Sequence, residues 1–199
     1  MEARLDMMLL LMAVGYLSGT WLGALSVCRL AGEDDPRLMG SGNPGFSNVL
    51  RLYGRRLALA TLVVDVVKGM PVLWLAMALG LPPWAQGLVG LGVLLGHSYP
   101  AWHRFQGGKG VASAFGVMLM LTPGVALVCA AIWVLLAWRV NTAAIASLTS
   151  ATAAPLASVW LAPEYTGVII AFTSLVLLRH LLNIHRLRHG DEPGLGRHR

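Results

Sequence analysis

Charged side chains are scarce in this chain: Asp, Glu, Lys and Arg together make up only 12% of its 199 residues. No charged residue interrupts 7–28, 57–64, 69–96 or 110–138. The longest of these are typical of helices that cross a lipid bilayer. A soluble globular domain is therefore excluded. The sequence predicts an all-α fold, a polytopic bundle of membrane helices formed as a single domain by residues 1–199.

Cysteine is almost absent as well, and acidic residues are fewer than basic ones. Cys28 and Cys129 lie in apolar runs without the spacing of metal ligands, so we expect them to pack as small side chains. No metal and no cofactor is expected. The formal net charge of +6 is typical of nucleic-acid binding in a soluble protein, but in a membrane protein it reports topology. We therefore expect no nucleic-acid partner.

The number of membrane spans depends on Pro123. Apolar runs predict helices at about 7–27, 57–79, 84–95, 111–138, 143–161 and 166–182. If 111–138 is one kinked helix, the chain has six spans. If Pro123 marks a turn, it has seven.

The basic residues favour seven helices. That topology places 13 of the 15 Lys and Arg residues on one side of the membrane. They are Arg29, Arg37, Arg51, Arg55, Arg56, Arg104, Lys109, Arg139, Arg179, Arg186, Arg188, Arg197 and Arg199. Because basic loops stay in the cytoplasm, the N-terminus is predicted to be outside and the C-terminus inside.

The stretch Gly96–Ala112, GHSYPAWHRFQGGKGVA, interrupts the apolar chain most sharply. Its glycine-rich half runs into an apolar segment that is predicted to be helical. Such a loop leaves backbone N–H groups free beside Lys109, an arrangement that suits an anion. It is not a Walker A loop, because His103 and Gly110 occupy two of that motif's required positions. A phosphate-handling loop and a tight membrane turn both remain possible readings.

The loop after the first helix contains Gly40–Arg51, another glycine-rich and polar stretch. Ser47 or Asn48 is expected to cap the second helix, with Arg51 in or near its first turn. An arginine there is either a bidentate partner for phosphate or carboxylate, or a stop-transfer charge at the edge of a helix.

Two charges lie inside the second predicted helix. Asp65 and Lys68 are three residues apart and share one face of the helix. Inserting either charged side chain at mid-bilayer costs about 2.5–3.5 kcal/mol. They are interpreted either as an ion pair that fixes helix packing or as a proton or ion relay. His97, at the end of the third helix, is interpreted as structural support for the loop that follows it.

The last helix ends in a basic, periodic segment in which His180 and Asn183 share one face. A juxtamembrane helix attracted to anionic headgroups would explain the arginines. It gives no reason for a face formed by histidine and asparagine.

Three stretches together resemble one family. GSGNPGFSNVLR (40–51), GHSYPAWHRFQGGKGVA (96–112) and HLLNIHRLRHGDE (180–192) are similar to the three motifs of bacterial acyl-phosphate:glycerol-3-phosphate acyltransferases. The resemblance implies a seven-helix enzyme of the inner membrane, with its motifs on the cytoplasmic side. It also implies transfer of a fatty acyl group from acyl phosphate to the sn-1 hydroxyl of glycerol 3-phosphate. The products would be lysophosphatidic acid and phosphate, in the first acylation of phospholipid synthesis.

Residue roles follow from the same resemblance. It implies catalytic roles for Lys109, His180 and Asn183, and substrate binding by Ser41, Asn43, Ser47, Arg51, Gly107, Gly108, Gly110 and Thr142. His97, Asp65 and Lys68 are expected to support the site. The partners implied are acyl phosphate, glycerol 3-phosphate, the lipid bilayer and, functionally, the enzyme that makes acyl phosphate.

The chain departs from the family pattern at two positions. Phe46 replaces a usual alanine, which is expected to narrow the site or to alter acyl-chain preference. Thr142 replaces a usual serine but keeps a hydroxyl group.

Two other functions compete with acyl transfer. A small proton-coupled transporter would use Asp65 and Lys68 together with the broken helices. A binding or scaffold protein ranks lower, because it needs no polar loops converging on one face.

Overall fold

The computed structural model describes residues 2–196, and all regular secondary structure among them is helical, with no strand. Arg197 and Arg199 lie outside the described residues. The helices are α1 Glu2–Gly19, α2 Gly23–Leu30, α3 Phe46–Tyr53, α4 Arg55–Val67, α5 Met70–Ala78, α6 Pro83–Ser98, α7 Val111–Leu121, α8 Pro123–Val140, α9 Ala143–Leu161, α10 Thr166–Arg179 and α11 Leu181–His189. The predicted all-α fold class is confirmed.

Among residues 2–196, four helical segments are long and apolar enough to cross a membrane: Arg4–Leu30, Arg55–Ala78, Pro123–Val140 and Ala143–Leu161. A fifth is added if the last two helices, bent by 53° at His180, are counted as one span. The chain is a multi-pass membrane protein. The exact number of seven spans stays a prediction, as does the orientation of the termini.

Helix α6 is the centre of the bundle, and α1 lies closest to it. A Cβ added at Gly19 or Gly96 would collide with the backbone carbonyl of Val93 or Tyr16 on the opposite helix. Small residues at such positions let two membrane helices approach until their backbones touch. The glycines of α1 and α6 therefore fix where the end of α6, and the loop after it, sit in the molecule.

The first two predicted helices are each broken in the structure. The first is interrupted between Gly19 and Gly23, where Leu22 has an extended backbone. The second is interrupted between Val67 and Met70, and Pro71 provides the reason. Proline has no N–H to donate to the carbonyl four residues earlier, which here belongs to Val67, the last residue of α4.

Helix α3 lies within a segment that was predicted to be a loop. Gly45 precedes it and Gly54, with φ of 88°, ends it. Ser47 and Asn48 lie inside α3 rather than at the start of the second helix, so the predicted cap is wrong. The segment is short; its buried Val49 packs against Ala24, Cys28 and Ala58 of α2 and α4, and its buried Asn48 bonds to the preceding loop. Tertiary packing rather than a capping signal stabilises this helix.

The chain reverses direction at Thr122. Helix α7 ends at Leu121, α8 begins at Pro123, and the two helices pack along each other. Two other predicted boundaries shift: the third helix extends to Ser98, and the last one bends at His180 before continuing to His189. The bend at His180 turns the following residues back over the polar end of the bundle.

Candidate active site

A cavity of about 340 Å³ opens between α3, α7, α8, α9 and α10. Its polar end is lined by side chains from the loops and helix ends, which are Ser41, Asn43, Ser47, Asn48, Arg51, Lys109, His180, Asn183 and Glu192. Its remaining wall is apolar and comes from the middle of the helices, including Phe115, Met118, Trp133, Ala154, Ile169 and Phe172. The cavity therefore suits a molecule with an anionic head and a hydrocarbon chain.

The glycine-rich loop forms one side of the polar end. The N–H of Gly108 donates to the carbonyl of His97 at 3.0 Å, which ties the loop to the end of α6. Gly110, with φ of 81°, precedes α7, and no side chain caps that helix. Because the first N–H groups of a helix have no partner within it, the N-terminus of α7 is left open to an anion.

Lys109 lies between these amides and the cavity. Within residues 2–196, its ammonium takes part in no ion pair. Burial lowers the pKa of Lys109 to about 8. The positive charges of Arg51, Arg186 and Arg179 act in the same direction, while Glu192 opposes them. A partly buried cation without a counter-ion favours the binding of a mobile anion.

Asn48 organises the loop before α3. Its side-chain oxygen accepts from the N–H of Ser41 at 2.9 Å, and its amide nitrogen donates to the carbonyls of Pro36 and Met39. Arg51 donates to the same oxygen at 3.3 Å. This buried side chain therefore fixes the conformation of the loop that carries Ser41 and the direction of the Arg51 guanidinium.

His180 and Asn183 face the cavity from the bend between α10 and α11. Both are almost fully buried. The Nδ1 of His180 lies 2.8 Å from the carbonyl of Val176, which requires a proton on Nδ1. In the neutral ring, Nε2 is then free to accept a hydrogen bond.

A C-terminal strap, residues 190–196, crosses the polar end. The side-chain amide of Asn183 donates to the carboxylate of Glu192 at 2.6 Å, and Arg51 donates to the backbone carbonyl of Gly194 at 2.8 Å. The N–H of Leu195 donates to the backbone carbonyl of Asn141 at 2.8 Å. The second carboxylate oxygen of Glu192 is buried without a hydrogen-bond partner among the described residues. The strap therefore joins three separate parts of the site.

Asp65, Lys68 and His97 form a buried cluster beneath the glycine loop. The Lys68 ammonium donates to Asp65 at 3.0 Å, to the carbonyl of Trp21 at 2.8 Å and to Nδ1 of His97 at 2.7 Å. Asp65 also accepts from the N–H of Gly23 at 3.1 Å. The predicted ion pair is present, and it fills the break between α1 and α2. Each of the three N–H donors of the Lys68 ammonium has an acceptor. A structural role in helix packing therefore explains these charges, and a transport function is not needed to explain them.

Comparison with known proteins agrees with this geometry. The sequence profile of a family described as glycerol-3-phosphate acyltransferase matches residues 9–190. The chain belongs to this family. A glycerol-3-phosphate acyltransferase of Chromohalobacter salexigens is 61% identical over 197 residues, covering 99% of this chain and 96% of the relative.

Two solved structures share the fold of this acyltransferase. One is the integral membrane glycerol 3-phosphate acyltransferase PlsY in its glycerol 3-phosphate form, with a TM-score of 0.87 and 33% identity. It covers 95% of this chain and 96% of its own. The other is the lysophosphatidic acid form of PlsY, with a TM-score of 0.86 and 32% identity, covering 95% of each chain.

The acyltransferase brings most of the residues implied by sequence to one cavity, but not all of them. Gly107 and Gly108 are buried against His97 at the end of α6 and do not line the cavity, whereas Gly110 does. Thr142 precedes α9 and donates to the carbonyl of Val140 at 3.2 Å, while the wall passes through its neighbour Ala143.

Two parts of the acyltransferase site were not singled out from the sequence. Glu192 follows a basic helix and reads as a surface charge, and Arg179 reads as one of several juxtamembrane arginines. The structure places Glu192 in the cavity wall and Arg179 against the glycine loop. The presence of Glu192 in the quoted third motif was the only available signal.

The apolar wall of the acyltransferase cavity carries an aromatic pair. Phe46 and Trp133 meet edge to face, with ring centroids 6.1 Å apart. Trp133 is fixed in turn by a hydrogen bond from its indole nitrogen to Ser147 at 3.0 Å, which links α8 to α9. Phe46 therefore narrows the cavity next to its polar end.

Proposed function

We propose that this acyltransferase moves a fatty acyl group from acyl phosphate to the sn-1 hydroxyl of glycerol 3-phosphate. The products are lysophosphatidic acid and inorganic phosphate. The observation that carries the proposal is one cavity in which Lys109, Arg51 and the open N-terminus of α7 meet an apolar wall. The forms in which PlsY has been solved, with glycerol 3-phosphate and with lysophosphatidic acid, support the acceptor and the product.

The reaction is a direct displacement at the acyl carbonyl carbon. The glycerol hydroxyl oxygen attacks that carbon, a new C–O ester bond forms, and the bond to the phosphate oxygen breaks. Phosphate leaves with the bonding electrons, and the hydroxyl proton passes to a phosphate oxygen or to Nε2 of His180. Phosphate is already a good leaving group, so positioning of the two substrates supplies much of the rate enhancement.

The basic residues stabilise the charge that moves during this step. Both substrates are phosphate esters or anhydrides, and the phosphate gains negative charge as it leaves. Lys109, Arg51 and the α7 amides supply donors that need no rearrangement at that moment. Asn183, held by Glu192, is placed to orient glycerol 3-phosphate.

A covalent acyl-enzyme is not part of the mechanism. The ring of His97 is engaged by Lys68 through Nδ1 and packs against Gly108 through Nε2, so it does not activate a serine. The test is to mix the protein with labelled acyl phosphate alone and to analyse the denatured protein. Label bound covalently to the chain would contradict direct attack.

The protein is proposed to reside in the bacterial inner membrane with its site facing the cytoplasm and with seven spans. The distribution of basic residues supports this orientation. A cytoplasmic site also gives access to soluble glycerol 3-phosphate and to the enzyme that makes acyl phosphate. We expect a membrane-impermeant thiol reagent to label a cysteine introduced at Leu195 only after the cells are opened.

Phosphate release by the purified protein tests the proposed function. We expect release that requires both acyl phosphate and glycerol 3-phosphate, and no transfer when acyl-carrier protein or coenzyme A carries the acyl group. The double variant Arg51→Ala/Lys109→Ala should be inactive, whereas Arg56→Gln, an exposed arginine on α4, should match wild type. Wild-type protein that releases no phosphate with both substrates would refute the proposal.

A further inference from the structure

Arg179, the last residue of α10, reaches across to the glycine-rich loop. Its Nε donates to the carbonyl of Gly108 at 3.1 Å, and its Nη2 donates to the carbonyl of Gly107 at 2.9 Å. The guanidinium also lies over the ring of Tyr99, 4.9 Å from its centroid. One side chain therefore contacts the loop at two successive peptide groups and the segment that precedes the loop.

These contacts fix the orientation of two peptide planes. In a planar trans peptide the C=O and the N–H point in opposite directions. The Gly107–Gly108 peptide is held at both ends, by Arg179 at its C=O and by the carbonyl of His97 at its N–H, 3.0 Å away. The next peptide is held by Arg179 at the Gly108 C=O, so the N–H of Lys109 points away from the guanidinium.

The loop has no room to move towards α6. A Cβ added at Gly107 would collide with the carbonyl of His97, and one added at Gly108 would collide with Nε2 of the same histidine. The two glycines are therefore enclosed between His97 on one side and Arg179 on the other. Any change in the loop must come from the side that Arg179 controls.

We propose that Arg179 is a positioning residue for acyl transfer, because it sets the peptide planes from which Lys109 and the α7 amides meet a phosphoryl group. The inference rests on the proposed function, in which that group belongs to acyl phosphate or to glycerol 3-phosphate. Arg179 itself contacts the loop and not the substrate. The planar guanidinium presents its donors to the two adjacent carbonyls in a fixed geometry, which the shorter reach and rotating donors of a lysine ammonium reproduce only in part.

Kinetics of Arg179→Gln and Arg179→Lys test the inference, with Arg56→Gln as the control for loss of one positive charge. We expect Arg179→Gln to lower kcat/KM about 100-fold, the effect of a displacement of about 1 Å in a catalytic group. Arg179→Lys should recover only part of that loss. A KM that rises for glycerol 3-phosphate assigns the loop to the acceptor, and one that rises for acyl phosphate assigns it to the donor; either result supports the inference.

Thermal unfolding with and without inorganic phosphate provides a readout that does not depend on acyl transfer. Saturating phosphate should raise the Tm of wild type and Arg56→Gln but not that of Arg179→Gln. A wild-type shift without acyl transfer would refute the proposed function and leave the role of Arg179 standing. The inference is overturned if Arg179→Gln, per folded molecule, keeps wild-type kcat/KM and the wild-type phosphate shift. It is also overturned if wild type shows no shift.

Discussion

Lys68 is buried and Lys109 is partly buried, and their charges are compensated in different ways. Lys68 is surrounded by three acceptors, including Asp65, so its charge is compensated inside the protein. Lys109 has no ion-pair partner among the residues described, and its pKa is lowered to about 8 mainly by burial. The first arrangement stabilises helix packing. The second favours a bound anion, because an anion restores the charged form of the lysine.

The pH dependence of catalysis should report Lys109. In the proposed mechanism the charged lysine binds phosphoryl groups and binding raises its pKa, so affinity is full below pH 8 and is lost as the pH rises through 8. Glycerol 3-phosphate keeps its charge in this range, since phosphate monoesters lose their second proton near about pH 6. We expect kcat/KM to fall about tenfold per pH unit above about 8.

Substitutions at Lys109 distinguish the effect of its positive charge from the effect of its losing a proton as the pH rises. Lys109→Arg should keep activity and show no decline up to about pH 10, because arginine does not titrate there. Lys109→Ala should lower kcat/KM about 100- to 1,000-fold, as expected for loss of one donor that stabilises developing charge. A decline above pH 8 that persists in Lys109→Arg would assign the titration to another group.

Phe46 is predicted to limit the acyl chain. Phe46→Ala removes one ring of the pair with Trp133 and widens the cavity beside its polar end. We expect kcat/KM for long or branched acyl phosphates to rise about five- to tenfold relative to short ones, a small effect for an apolar pocket. Trp138→Phe, at an exposed position on α8, the helix that carries Trp133, is the control. Unchanged chain preference in Phe46→Ala would contradict this role.

At the scale of elements, composition predicted helices well and their interruptions poorly. The apolar runs located the helical segments, and Pro123 located the reversal between α7 and α8. The break between α1 and α2 has no proline, and its polar groups are satisfied by Asp65 and Lys68, which lie more than 40 positions away. Helix α3 was missed because its buried residues pack only once the chain is folded.

The buried cluster at this break predicts a specific stability pattern. Lys68→Met leaves the Asp65 carboxylate buried without its cation and should destabilise the protein by about 3–5 kcal/mol. Asp65→Leu combined with Lys68→Met removes both charges and should recover most of that loss. Thermal unfolding in one detergent compares the variants. A double variant no more stable than Lys68→Met would show that the charges do more than compensate each other.

At the scale of the whole molecule, the polar end of the site forms where four parts of the chain meet: residues 41–51, the glycine-rich loop, the bend at His180 and the 190–196 strap. Glycine-flanked Lys109 and the shared face of His180 and Asn183 could be found from local pattern alone. Glu192 and Arg179 could not, because their roles depend on the bend at His180 and on the loop that α6 and α1 hold in place. Local sequence shows which groups are unusual, whereas tertiary packing decides which of them share a cavity.

The function proposed for this cavity is to join the acyl group of acyl phosphate to glycerol 3-phosphate. The most direct measurement supplies purified protein with labelled glycerol 3-phosphate and acyl phosphate as the only acyl donor, and identifies the labelled lipid by mass spectrometry. We predict one lysophosphatidic acid, acylated at sn-1, formed in equal amount to the phosphate released. Label that remains in glycerol 3-phosphate, or a lipid formed only when another acyl donor is added, would contradict this function.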